Sequence, residues 1–103
     1  MGRDLKAVKD IRVDLARATG AAEVLKALSH PVRLCIVKGL METGRCNVSE
    51  MQHCLRAPQS TISQHLARLR ASRIIEGERD GVEVYYRVVS EDAKRVVRAL
   101  FEM

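Results

Sequence analysis

Asn47 to Arg73, NVSEMQHCLRAPQSTISQHLARLRASR, constrains this chain more than any other stretch. It reads as a short helix, a tight turn at Arg56-Ala57-Pro58, and a longer second helix. On the second helix Ile62, Leu66 and Leu69 recur at i, i+4 and i+7, which makes one apolar stripe. Ser60, Ser63, Gln64, Ala67 and Ala71 share the other side, which is small and polar. Between Arg56 and Arg73 the chain has Arg56, Arg68, Arg70 and Arg73 but neither Asp nor Glu. One greasy face, one face of short hydrogen-bonding side chains and cationic flanks together suit a DNA major groove. That groove is about 12 Å wide and admits a single helix whose short side chains must reach base edges. An ordinary surface helix with a solvated face is the alternative.

The remaining elements follow from periodicity and capping. Residues 4–28 are helix-like, with Leu5, Val8, Ile11 and Leu15 on one stripe and Ala21, Val24, Leu25 and Leu28 continuing it. Gly20 is expected to break or bend this helix, since Gly costs about 1 kcal/mol inside one. A long amphipathic helix at the edge of a small domain needs a cover, and a partner subunit is the simplest. Ser29-His30-Pro31 stops one helix and starts another, with Pro31 in the first turn and His30 or Ser29 as cap. That helix runs to about Glu42, with Val32, Leu34, Ile36, Val37 and Leu40 on its apolar side. Asn47 then caps the next, with Glu50 three residues on as a variant capping box. Val48, Met51, Cys54 and Leu55 are expected to face inward.

Beyond Ile74 the period changes from helix to strand. Val82, Val84, Tyr86 and Val88 alternate with Glu83, Tyr85 and Arg87. Asp80-Gly81 is a hairpin signal, which makes Ile74 to Arg79 the first strand. Ser90 caps a last helix, on which Ala93, Val96, Val97, Leu100 and Phe101 form a stripe. The expected fold is therefore mainly α: about five helices with a two-stranded wing, a winged helix-turn-helix in a single domain spanning 1–103. Within it the helix-turn-helix occupies 47–72 and the wing 74–89. The helices near 4–28 and 91–103 are left for dimerisation.

Composition agrees with this layout. A chain of 103 residues builds one domain with a modest core, which association with a second copy would help. With no Trp, that core must be aliphatic. A net charge of +5 favours a polyanionic partner. The N-terminus MGRDLKAVKD has no apolar core of a secretory signal, and no run reaches the length of a membrane span. Three cysteines, an odd number, argue for free thiols in a reducing cytoplasm.

Three stretches, ALSHPVRLCIV, NVSEMQHCLRAPQSTISQHLARLRASRII and ERDGVEVYYRV, resemble the ArsR/SmtB family of small bacterial winged-helix repressors. The likeness covers roughly residues 22–89. It implies a homodimer, built from the first and last helices, that represses transcription at a palindromic operator on double-stranded DNA and leaves on meeting an inducer. The family's familiar metal ligands are missing. Its Cys-x-Cys pair falls on Asn47 and Ser49, with Cys46 one residue off, and the last helix, where the family places Asp, His and Glu ligands, has no His. Thiol oxidation or reactive sulfur is then a better inducer than a familiar metal, and no cofactor is expected. A non-standard Cys/His metal site, or a winged-helix protein-interaction module, remains as an alternative.

Individual residues carry these expectations. Gln59, Ser60, Thr61, Ser63 and Gln64 are assigned to base edges, because Gln pairs bidentately with adenine and Ser or Thr reaches either base type. Arg56, Arg68 and Arg79 are assigned to phosphates, Arg79 from the wing, with Arg70 and Arg73 as weaker backbone candidates. His65 borders the apolar stripe, where a structural hydrogen bond competes with a DNA contact. The sensor candidates are Cys46, Cys54 and Cys35. Cys46 ranks first, because Arg45 and the following helix N-terminus favour its thiolate. Cys35 and Cys54 read first as core packing, since free Cys behaves as a small hydrophobe. A direct Cys46–Cys54 bridge would need the third helix to melt, since eight residues of helix span about 12 Å. No nucleophile with a positioned base, glycine-rich phosphate loop or carboxylate cluster is present, so an enzyme is not expected.

Overall fold

The computed structural model describes residues 5–103, and for residues 5–10, 12 and 13 it gives the backbone alone. The charged residues before Leu5, and the Leu5 and Val8 side chains expected on the first stripe, lie outside the described residues. The described chain forms α1 (Leu5–Leu28), α2 (Pro31–Thr43), α3 (Val48–Leu55), α4 (Gln59–Ala71), β1 (Ile75–Asp80), β2 (Glu83–Val88) and α5 (Glu91–Phe101). This is a winged helix-turn-helix: five helices and one antiparallel hairpin.

The core is aliphatic. Ile36, Val37 and Leu40 of α2 meet Ile62, Leu66 and Leu69 of α4, Met51 of α3 and Ala93 and Val97 of α5. Ile74, Ile75, Tyr86 and Val88 close it from the hairpin side. Local signals set the helix starts. Pro31 opens α2, and His30 caps it by accepting the Val32 N–H at Nδ1, 3.1 Å away. Asn47 makes a full capping box with Glu50, at 2.9 and 3.0 Å. By contrast α4 starts after Pro58 with no side-chain cap. A cap contributes about 1 kcal/mol, whereas each buried Leu or Ile contributes about 1.5–3 kcal/mol. The three core residues of α4 therefore hold it in place without one.

Three expectations need correction. Helix α1 runs through Gly20 without a break; the cost of one glycine is small against the hydrogen-bonded turns on either side of it. The wing turn is Gly81-Val82, with Asp80 paired to Glu83, so the hairpin sits one residue later than expected. Gly81 has φ 67 at the first turn position, where a primed type II turn requires glycine. Val82 is consequently 92% exposed at the tip, not a strand residue facing the core. Inside the wing, a Cβ on Gly77 would come within 3.0 Å of both Tyr86 and Val84, so glycine lets the Tyr86 ring lie across β1.

A further link joins the wing to the helices. Cys46, in the α2–α3 loop, pairs with Tyr86 of β2 through both backbone groups, at 3.1 and 2.8 Å. The loop thus acts as a short third strand on the outer edge of β2.

Candidate nucleic-acid interface

Helix α4 divides as its sequence dictates. Ile62, Leu66 and Leu69 are buried, while Gln59, Ser60, Ser63, Gln64, Ala67 and Ala71 are exposed. Thr61, His65 and Arg68 occupy a half-buried flank. The uncapped start of α4, with no acid in its first turn, leaves backbone N–H groups for water or phosphate. Arg56 lies exposed just before it, in the left-handed region at φ 51, where it ends α3. Beyond α4 a tight turn through Arg73, at φ 57, leads straight into β1. The wing is therefore held at a fixed place relative to α4.

The half-buried flank has partners that local sequence did not reveal. Arg33 of α2 donates through Nε to the Ala27 carbonyl and places Nη1 3.4 Å from His65 Nδ1. The His30 and His65 rings stand 4.4 Å apart. Burial, then His30, then Arg33 push the His65 pKa below its ordinary 6.5. The imidazole is therefore neutral at neutral pH, accepting from Arg33 at Nδ1 and carrying its proton on Nε2. Arg68 donates to the Ser72 hydroxyl, which draws its guanidinium toward the C-terminal end of α4.

At the wing, Arg79 is exposed opposite Val84. Asp80 is paired with Arg45 at 3.2 Å, and the Arg45 guanidinium lies 4.1 Å from the Tyr85 ring centroid. This pairing offsets the Asp80 charge, while Glu83 opposite it and Glu78 also lie near Arg79 at the tip. Arg70 lies 6.0 Å from the Tyr86 ring. Sequence reasoning missed Arg33, and it named Arg45 only as a neighbour of Cys46, not as the partner of Asp80. Each acts across the fold, on a residue more than thirty positions away, so no local pattern marks it.

The thiols differ from expectation. Cys35 and Cys54 are exposed, not packed into the core, and Cys46 is half-buried. On α2 Ile36, Val37 and Leu40 are buried, and Cys35 stands at the margin of that face, open to solvent. On α3 only Met51 is fully buried, and Cys54 falls on the edge of that face. Cys46 Sγ lies 3.2 Å from Thr43 Oγ1. Thr43 Oγ1 also lies 2.9 Å from the Gly39 carbonyl, to which it donates. Among the described residues no three His, Cys, Asp or Glu gather as a metal site, and no helix is long and apolar enough to cross a membrane.

The family profile described as "Bacterial regulatory protein, arsR family" matches residues 30–76, which run from the α2 cap to the first wing strand. The transcriptional repressor PagR of Bacillus anthracis is 33% identical over 91 residues, covering 88% of this chain and 91% of PagR. The chain belongs to the arsR family. Its arsR-family fold superposes on the crystal structure of PagR with a TM-score of 0.77, over 84% of this chain and 98% of that one. The biofilm growth-associated repressor of Xylella fastidiosa is 41% identical over 85 residues, 82% of this chain and 74% of that protein. Reduced HlyU from Vibrio cholerae, 27% identical, gives a TM-score of 0.83 over 88% of this chain and 95% of that one. These arsR-family relatives include transcriptional repressors, as their names state. In this arsR-family chain Asn47 is 8% exposed and engaged in capping α3.

Proposed function

We propose that this arsR-family chain is a DNA-binding transcriptional repressor that works as a homodimer on a palindromic operator. One observation carries the reading: the acid-free row Ser60, Ser63, Gln64, Ala67 and Ala71 stands exposed over a buried apolar stripe on α4. In this reading Gln59, Ser60, Thr61, Ser63 and Gln64 read bases. Arg56 and Arg79 hold phosphates on either side, and Arg68 and His65 contribute from the half-buried flank once DNA is bound. The two copies meet through α1 and α5, where most of the exposed large apolar residues lie. Such a repressor acts on chromosomal DNA in the cytoplasm.

The inducer acts on thiols. Both Cys35 and Cys54 are open to solvent, and the family's metal-ligand positions Asn47 and Ser49 carry no thiol. A relative, HlyU of Vibrio cholerae, is described in a reduced form. The test is a gel shift of the reduced protein on its own promoter region at two salt concentrations, repeated after oxidation. The expected result is a specific shift that weakens with salt and is lost on oxidation. Equal binding to any duplex would sink the operator reading, and indifference to oxidation would sink the thiol signal.

A further inference from the structure

Helices α2 and α3 enclose an open groove of about 110 Å³. All three cysteines of the chain line it. One wall is the row Cys35, Gly39 and Thr43 on α2, at i, i+4 and i+8. The other is Cys46, Glu50 and Cys54, at the same spacing along the loop and α3. Ile36, Leu40, Met51 and Leu55 make the floor apolar. No Lys or Arg lines the groove, and Glu50 is turned to the α3 cap.

Gly39 in mid-α2 is hard to explain by packing. A Cβ there would meet nothing within 4 Å, and its backbone is not in the left-handed region. Glycine inside a helix costs about 1 kcal/mol relative to alanine. Its effect here is to keep the wall between Cys35 and Thr43 open. The space is somewhat smaller than an engineered apolar cavity of about 150 Å³ that admits benzene.

We propose that this groove captures a small, uncharged, apolar electrophile of the α,β-unsaturated carbonyl or quinone class, on Cys35 or Cys54. The inference rests on the repressor reading and names the chemistry of its signal. The thiol gives up its proton and its sulfur adds to the β-carbon. One C–S bond forms, the C=C pair shifts to join the α-carbon to the carbonyl carbon, the C=O pair goes to oxygen, and the released proton ends on the adduct, which for a quinone is the thioether-substituted hydroquinone. No external oxidant takes part. Cys46 is not the acceptor, because it is half-buried and packed against the core, whereas Cys35 and Cys54 are exposed. A neutral ligand suits a groove with no cation, and a flat ring suits the gap at Gly39.

The groove is mechanically tied to the reading head. Helix α3 packs on α4, and Cys46, at the end of the same wall, is bonded to Tyr86 of the wing. A ring wedged between α2 and α3 shifts α3 away from its seat and disturbs both contacts.

The experiment treats the reduced full chain with 1,4-benzoquinone, and in parallel with anionic iodoacetate. Adducts are mapped by mass spectrometry and operator affinity is measured before and after. Benzoquinone is expected on Cys35 or Cys54, with affinity falling by about tenfold or more, within the usual range of coupling between sites. Gly39→Leu fills the groove and should slow the quinone several-fold while leaving the iodoacetate rate unchanged. Gly39→Ala should give an intermediate rate, and it keeps the test valid if the leucine variant fails to fold. The Cys35→Ser/Cys54→Ser protein should bind DNA normally and ignore the quinone. Adducts confined to Cys46, quinone rates unchanged by filling Gly39, or an adduct that leaves affinity intact would each overturn the proposal. Absence of DNA binding by the untreated protein would instead strike the repressor reading, while the labelling rates still decide the groove.

Discussion

Gln64 and Ser60 stand one helical turn apart on the exposed side of α4, and their chemistry gives the sharpest expectation. Gln64→Ala should cost about 1–3 kcal/mol on the cognate operator and relax preference at one base position. Binding to a panel of single-base operator variants checks this; an unchanged profile would remove Gln64 from the reading face. Arg79→Ala acts differently, since a phosphate contact carries no sequence information. It should weaken binding to all duplexes alike and flatten the dependence of log affinity on log salt by about one unit. His65 supplies a pH dependence. Burial, His30 and Arg33 hold its folded pKa below the ordinary 6.5, so the unfolded chain binds more protons once pH falls near that value. Stability is therefore full at neutral pH and declines on acidification through the unfolded pKa. Urea midpoints at about pH 7.5 and about pH 5.5 should differ less for His65→Asn than for the parent chain. An identical difference in the two proteins would show that other groups control the acid limb.

Among the elements, α3 is the shortest helix and depends most on its cap. Asn47→Ala removes the side-chain half of the capping box and should destabilise the chain by about 1–2 kcal/mol, whereas Asn47→Asp, which can still accept the Glu50 N–H, should keep most of the stability. Chemical denaturation of the two variants measures the difference. Most elements were legible because each follows a local rule. Helices α2, α4 and α5 declare themselves through apolar spacing and caps, and the wing through alternation ending at Val88. Where local rules met a competing one, reading failed. Asp80-Gly81 marked the hairpin but not which of its residues begins the turn. At α1 the glycine signal yielded to helical continuity across Gly20. The exposure of Cys35 and Cys54 was misread because spacing finds a stripe without fixing its width, and both thiols fall at a stripe's margin. The Cys46–Tyr86 bridge, the Arg45–Asp80 pair and the Arg33–His65 contact join residues far apart in the chain, which no periodicity records. The exposed face of α4 was readable for the opposite reason, since its whole pattern lies within Gln59–Ala71.

At the scale of the molecule, shape is informative. The Cα radius of gyration is 17.1 Å and the longest extent 63 Å. A compact domain of this size would have a radius near 13 Å, so the chain is far from spherical. Helix α1, 24 residues and about 36 Å long, accounts for much of the excess. Ile11, Leu15 and Leu25 on it, and Leu100, Phe101 and Met103 at the far end, are between 40% and 67% exposed. A groove of about 430 Å³ between α1 and α5 carries further apolar surface, with Asp14, Arg17, Asp92 and Arg95 among its lining residues. The pairing of copies proposed above would cover this surface, and Leu15→Glu with Leu100→Glu should yield a monomer that no longer holds the operator. Sedimentation and a gel shift on the same sample test that, and a monomeric parent chain at micromolar concentration would contradict it. The outstretched first helix has a thermodynamic corollary. In the proposed pairing the arm finds its cover on another copy, which would make assembly and the ordering of α1 one reaction. The midpoint of thermal melting should then climb with protein concentration, as it does for any fold completed by mass action.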